Sequence, residues 1–262
     1  MTVNEWLKSL LQRQELSNQE SNSLKNLAEE IKGQLSFLPG NPRFYIAGSL
    51  AKGTIIKAQY DLDIVMYWSS TLNLAFTLKD IYEKVGDVLK KNYNFVNQKT
   101  VSWEIPFEGG FHIDVVPGRA LDQDYYEANL YRTDTKTRLK TSLKKHIDTV
   151  KKSDRTEVIR LLKLWREVNK VPLKKSFLLE IMAIKGCTGL SYQNNLGEQL
   201  YRALYYIRDN IKNCNFEDPA NSNNSLCDEL TLAMRHEVYK KADEAVKAVA
   251  ERYWSQVFLN KF

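Results

Sequence analysis

The chain of 262 residues has no apolar run approaching the roughly 20 residues that a membrane-spanning helix needs. Its opening segment, MTVNEWLKSLLQRQE, lacks the continuous apolar stretch and small-residue cleavage site of a secretory leader. These absences predict a protein without a membrane span that works in the cytoplasm. Cysteine is also scarce. Cys187, Cys214 and Cys227 form neither an even set nor a metal-ligand spacing, and His112, His146 and His236 lie far from them in sequence, so neither a disulfide nor a zinc site is predicted.

Acidic residues are too few to balance the basic ones, leaving a net charge of +6. The excess is local. Residues 132–175 carry fifteen Lys or Arg against five Asp or Glu, a net of +10 that leaves the remainder at −4. Such a field suits a polyanion, either a nucleoside triphosphate or a nucleic acid, whereas a lysine-rich solvated helix face is the plainer alternative.

A hydrophobic content of 43% supports a sizeable core in one large domain or two lobes. Apolar spacing predicts helices over about 3–14, 19–35 and 77–91. RFYIAG and DLDIVMYW read as strands separated by a glycine turn, and residues 94–105 and 110–116 as antiparallel strands joined at Glu108-Gly109-Gly110. Beyond about residue 137 the strand signals stop and helical patterns take over. RTEVIRLLKLWREVN places Val158, Leu161, Leu162, Trp165 and Val168 on one face, with Lys163 and Arg166 off it. CNFEDPANSNNSLCDELT is rich in turn formers and reads as a loop.

The stretch GSLAKGTIIKAQYDLDI carries the chemistry. With a side-chain period of two, Asp61 and Asp63 leave one face of a strand, where their repulsion calls for a cation between them. A divalent magnesium ion, which takes one or two carboxylates and completes its shell with phosphate oxygens, meets that need. Two such ions require a further acid, and Asp114, in the alternating FHIDVVPG, is placed to supply it. Gly48 lets the backbone approach a triphosphate, and Ser49 offers a hydroxyl and a helix-start N–H. His112 shares the face of Asp114, either to hydrogen-bond the site or as a structural histidine.

Gly48, Ser49, Asp61, Asp63 and Asp114, in this order, resemble the DNA polymerase β-type nucleotidyltransferases, whose pattern is Gly-Ser, a short helix, Asp-x-Asp on the next strand and a later strand acid. Further along, VIRLLKLWRE, KKSFLLEIMA and EDPANSNNS resemble the helical half of two groups. One is the bacterial cyclic-oligonucleotide synthases (CD-NTases), relatives of cyclic GMP-AMP synthase and oligoadenylate synthetase; the other is the archaeal CCA-adding enzymes. The resemblance runs from about residue 43 to about 230.

The resemblance implies an α+β, bilobal fold: a polymerase β-like palm of mixed sheet and helices over 1–135, and a mostly helical nucleotide-binding lobe over 136–262. It implies Asp61, Asp63 and Asp114 as catalytic metal ligands for Mg2+ or Mn2+, and Gly48, Ser49, Lys163, Ser176 and Phe177 as nucleotide-binding residues. On the residues' own evidence, the Ser176 hydroxyl can equally cap a helix, and Phe177 can equally be core. The implied activity joins nucleoside triphosphates (ATP, GTP or others) into a cyclic or linear oligonucleotide messenger with release of pyrophosphate, in bacterial anti-phage signalling. The alternative is template-independent transfer onto RNA or another acceptor; an inactive nucleotide- or RNA-binding relative is a third. The cysteine and histidine insertion of the animal DNA-sensing relative is absent, so activation by double-stranded DNA is not implied.

Overall fold

The computed structural model describes residues 1–71, 76–191 and 195–258. In chain order these form α1 (Val3–Arg13), α2 (Asn18–Leu35), β1 (Arg43–Ile46), α3 (Gly48–Lys52), β2 (Leu62–Trp68), α4 (Leu78–Asn92), β3 (Asn97–Gln98), β4 (Trp103–Pro106), β5 (His112–Ala120), β6 (Glu127–Tyr131) and β7 (Arg138–Ser142). They continue with α5 (Leu143–Lys151), α6 (Thr156–Val168), α7 (Ser176–Gly186), α8 (Leu196–Asn210), β8 (Glu217–Asp218), β9 (Asn221–Ser225), α9 (Leu232–Ala250) and α10 (Trp254–Val257). Among the described residues no helix is long and apolar enough to cross a membrane.

Helix starts are written locally. Thr2 with Glu5, Ser17 with Glu20 and Thr77 with Asp80 each form a reciprocal capping box, satisfying otherwise orphaned N–H groups at the openings of α1, α2 and α4.

The chain divides into two compact units. One comprises Leu16–Lys52 and Tyr60–Asp148. Its sheet runs β1-β2-β5-β4-β3, with β6 on β5 and β7 on β6. Only β2 and β5 pair in parallel, and they place Leu62, Ile64 and Met66 beside Ile113, Val115 and Pro117. Leu62, Ile64, Ile113, Val115 and Trp103 are buried, and α4 lies close on this side: the Tyr82 ring stacks on Trp103 at 4.9 Å, and a side chain on Gly86 would overlap the Trp103 indole. On the other face Val65 and Tyr67 are buried with Ala47, Tyr125 and Leu130, so apolar packing fills one end of that face. The acids occupy the other end.

The second unit comprises Met1–Glu15, Gly53–Gln59 and the chain from Thr149. Its core gathers Leu7, Leu10 and Leu11 of α1 with Ile56, Leu161, Leu162 and Trp165, Leu178 and Met182, Leu200 and Leu204, and Val238 and Ala242. The α6 helix is buried nearly all round: Lys163 and Arg166, which the apolar pattern puts on a solvated face, are 4% and 6% exposed.

Several local expectations need correcting. Residues 94–105 do not form one strand, because the chain folds back between Lys99 and Ser102, whose backbones bond at 2.9 Å, giving the β3–β4 hairpin. Strands do not stop at residue 137. The β7 strand, RLKTS, pairs antiparallel with β6, its basic composition being that of an edge strand with one side to solvent. The turn-rich stretch holds a short hairpin, β8 with β9, and this brings Cys214 and Cys227 to a Cα separation of 6.0 Å, where they are joined in a disulfide. The odd cysteine is Cys187, buried and free.

Candidate active site

The strand register explains why acids far apart in sequence meet. Asp63 on β2 is the direct partner of Asp114 on β5, and Asp114 in turn is the partner of Glu104 on β4. Asp61 lies two residues ahead of Asp63 and His112 two ahead of Asp114, so all five side chains belong to one face of the sheet. His112 Nε2 stands between acids, 3.5 Å from Asp61 Oδ2 and 3.8 Å from Asp114 Oδ2. The Ser102 hydroxyl donates to Asp114 Oδ1 at 3.2 Å, and Lys99 Nζ neutralises Glu104 at 2.7 Å.

Burial, and after it the crowding of negative charge, sets how readily these carboxyls ionise. Burial, then the charges of Asp61 and Asp114, push the Asp63 carboxyl up to about 7, against the opposing pull of Lys52 and His112. Burial also raises Asp114, while the hydrogen bond to Asp61 and the neighbouring acids raise His112. A site that makes its own carboxylates reluctant to ionise is one completed by added positive charge.

Gly48 closes the other side. It is left-handed, with φ +57°, and a Cβ there would overlap the carboxylate of Asp63. The Ala47 N–H donates to the Asp63 carbonyl at 2.9 Å, fixing the turn to the strand. The hydroxyl of Ser49, one residue on, is buried and has no hydrogen-bond partner, a cost normally avoided unless a ligand meets it. Lys52, at the end of α3, is 8% exposed. Among the described residues no three acidic, histidine or cysteine side chains already converge as a ligand set. Donor chemistry, the mutual field and the orphaned hydroxyl all fit a divalent cation with phosphate.

The structure thus brings Gly48, Ser49, Asp61, Asp63 and Asp114 together in the sheet unit. Lys163, Ser176 and Phe177 belong to the helical unit. There Lys163 is ion-paired with the fully buried Glu180 at 2.8 Å rather than presented as an exposed ammonium. Ser176 is the first residue of α7 and not its cap: Lys175 holds the cap position, without a side-chain bond, and the Ser176 hydroxyl accepts from Arg166 Nη1 at 2.9 Å. Phe177 is partly buried against the helical core. Sequence reasoning passed over Lys52, Ser102, Glu104 and Arg166. Glu104 was within reach, because it alternates with Trp103 and Ile105 and therefore leaves the polar face of β4.

The family described as Second Messenger Oligonucleotide or Dinucleotide Synthetase domain matches residues 1–154. The chain is 29% identical over 179 residues to the cyclic AMP-AMP-AMP synthase of Escherichia coli (strain MS 115-1), an alignment covering 62% of this chain and 56% of that relative. The match therefore spans little more than half the length of that curated relative. Among solved structures, E. coli MS115-1 CdnC in its HORMA-deltaN complex superposes with a TM-score of 0.72 at 23% identity, covering 94% of this chain and 93% of that one. The Bradyrhizobium diazoefficiens CD-NTase CdnG in complex with GTP gives 0.75 at 14% identity, covering 97% and 95%. Likeness at these identities establishes the fold, the α+β architecture of polymerase β-like nucleotidyltransferases with a mixed sheet and helices.

Proposed function

This chain belongs to the Second Messenger Oligonucleotide or Dinucleotide Synthetase domain family, and on that premise we propose that it is a metal-dependent nucleotidyltransferase. It joins nucleoside triphosphates into a cyclic or linear oligonucleotide messenger, releases pyrophosphate, and serves bacterial anti-phage signalling in the cytoplasm. The observation that carries this reading is the in-register pair Asp63 and Asp114 behind a glycine turn whose Ser49 hydroxyl lacks a partner.

Asp61, Asp63 and Asp114 would hold Mg2+ or Mn2+. Bound there, such ions lower the pKa of an acceptor hydroxyl and neutralise the departing pyrophosphate. The chain's own groups do the remainder. Gly48 admits the triphosphate to the backbone, Ser49 donates its hydroxyl to a phosphate oxygen, and Lys52 adds charge beside Asp63. Ser102 orients the Asp114 carboxylate. In the helical unit, Ser176, whose hydroxyl accepts from Arg166, and Phe177 are the proposed nucleotide-binding groups. Lys163 contributes its charge from within the Glu180 pair.

Transfer onto RNA is the less supported reading, since many cations of the basic segment are engaged internally. Arg155, Lys163 and Arg166 are buried, and Arg132, Lys140 and Lys144 pair with acids. Incubating the pure protein with Mg2+ or Mn2+ and each labelled triphosphate, followed by phosphatase and mass spectrometry, tests the proposal. A phosphatase-resistant product is expected; its absence under every combination, or label transfer only onto added RNA, would overturn it.

A further inference from the structure

Where α6, α9 and α10 of the helical unit meet, small side chains leave a hollow. The α9 helix ends at Ala250, and Arg252, left-handed at φ +65°, turns the chain back, with the Tyr253 N–H donating to the Ala248 carbonyl at 2.7 Å. This brings α10 back against α9. Just past α6, the Asn169 amide nitrogen donates to the carbonyls of Trp165 and Val257, both at 2.9 Å, and so ties α10 to α6. A helix of one turn is too short to fill the space between them, and α9 lines that space with the methyl groups of Ala245 and Ala248. The result is a cavity of about 410 Å3, within the range of small-molecule sites.

Its walls are mixed in character. Trp165 supplies an aromatic side, and Asn169, Gln256, Lys241 and Glu244 bring polar groups. Lys241 Nζ and Glu244 Oε2 stand 3.7 Å apart with side chains 27% and 53% exposed, so their charges offset each other and stay reachable from solvent. Trp165 is 1% exposed, yet among the described residues no hydrogen bond engages its indole N–H, and none engages the oxygen of the Asn169 amide. Buried indole N–H groups ordinarily find a partner.

These groups narrow the chemistry of an occupant. A triphosphate is disfavoured, because the one ammonium here is already shared with a carboxylate that repels phosphate. A purely apolar molecule would take water from two amides, an ammonium and a carboxylate and leave them unpaired. A flat heterocycle with its own donors and acceptors can satisfy the indole N–H and the amides. A vicinal diol suits Glu244, since carboxylates accept from ribose hydroxyls.

We propose that this cavity is a binding site for an uncharged nucleoside. It belongs wholly to the helical unit, whereas the candidate metal ligands belong to the sheet unit, and its occupant carries no phosphate to be transferred. The site therefore stands independently of the nucleotidyltransferase reading.

Calorimetric titration of the full chain with adenosine, guanosine, cytidine and uridine, in chelator so that the acids hold no divalent cation, is the first readout. At least one nucleoside should bind with Kd on the order of 0.1–1 mM, the range a ligand of this size reaches. Hydrogen exchange should slow about threefold or more at residues 244–248 and 254–257 when it is bound, with β2 and β5 unchanged. Ala248→Leu puts a larger side chain into the hollow and should weaken binding about tenfold or more. Gln256→Ala removes one amide at an exposed position, so it keeps a folded protein for comparison, and should weaken binding about threefold to tenfold. In a parallel titration with Mg2+, a non-hydrolysable triphosphate should not displace the nucleoside. Failure of all four nucleosides to bind up to the limit of their solubility overturns the site, as does binding that the triphosphate displaces or that both variants leave intact. Turnover plays no part in these readouts, so a wild-type protein without nucleotidyl transfer would count against the proposed reaction and leave the nucleoside site to be decided by binding.

Discussion

Replacing Asp63 with Asn should make the metal-free protein more stable, although it removes a residue the reaction needs. Burial and the neighbouring acids raise the Asp63 carboxyl from 3.8 to about 7 in the folded chain. An acid with a raised folded pKa binds protons more tightly folded than unfolded, so stability falls as pH climbs between the two values, and the loss is complete above the higher one. Such a rise corresponds to a penalty on the order of 4 kcal/mol at pH 8, shrinking below about 2 kcal/mol at pH 5, where the folded carboxyl has regained its proton. For a chain of this size, that is a gain on the order of 10 °C in Tm at pH 8 for Asp63→Asn. Thermal melts of both proteins in chelator, from pH 5 to pH 8, measure it directly. The variant should melt higher, with the gap widening as pH rises. Adding Mg2+ with a non-hydrolysable triphosphate should then stabilise the wild type far more than the variant. A variant that melts lower at every pH, or a gap indifferent to pH, would refute the argument that burial and the neighbouring acids hold Asp63 reluctant to ionise in want of a cation.

Ser49→Ala should leave stability unchanged or raise it by about 1 kcal/mol, because the buried hydroxyl it deletes has no partner, while KM for the triphosphate rises; denaturant titration beside steady-state kinetics checks both. Gly48→Ala puts a Cβ into the Asp63 carboxylate at a left-handed backbone, so it should cost about 1–3 kcal/mol and reduce turnover more than tenfold, as read by melting and product formation. Reducing Cys214–Cys227 opens a loop with a sequence separation of 13. By loop-closure entropy this should cost on the order of 3 kcal/mol, seen as a lower Tm in dithiothreitol, with Cys214→Ser insensitive to the reductant.

Much of the acid face was legible because strand alternation is a local property. Asp61 and Asp63 share a face by period alone, and a Gly-Ser between two strands marks a tight backbone approach. The register that sets Asp114 opposite Asp63 and Glu104 is a tertiary fact: nothing in FHIDVVPG says which of its residues faces which strand. Helix pattern misled at α6, where a one-faced apolar reading left Lys163 and Arg166 off the buried side. Their burial depends on Glu180, Thr54 and Gln59, partners that no periodicity within α6 could disclose. Composition likewise concealed β7, whose basic residues fit an edge strand as well as a loop, and the disulfide, whose two sulfurs meet only because a hairpin folds between them.

The helical unit is assembled from three separate stretches of the chain, and this carries a consequence for synthesis. Leu7, Leu10 and Leu11 belong to a core whose other members, Ile56 apart, begin only around Val150 and extend past Val238. On the ribosome, which delivers the amino end first, α1 must wait with its apolar face uncovered while the entire acid-bearing sheet is made. A protein cut at residue 154, where the family match ends, would own every candidate metal ligand and leave α1 only Ile56 and Val150 of that core to bury against.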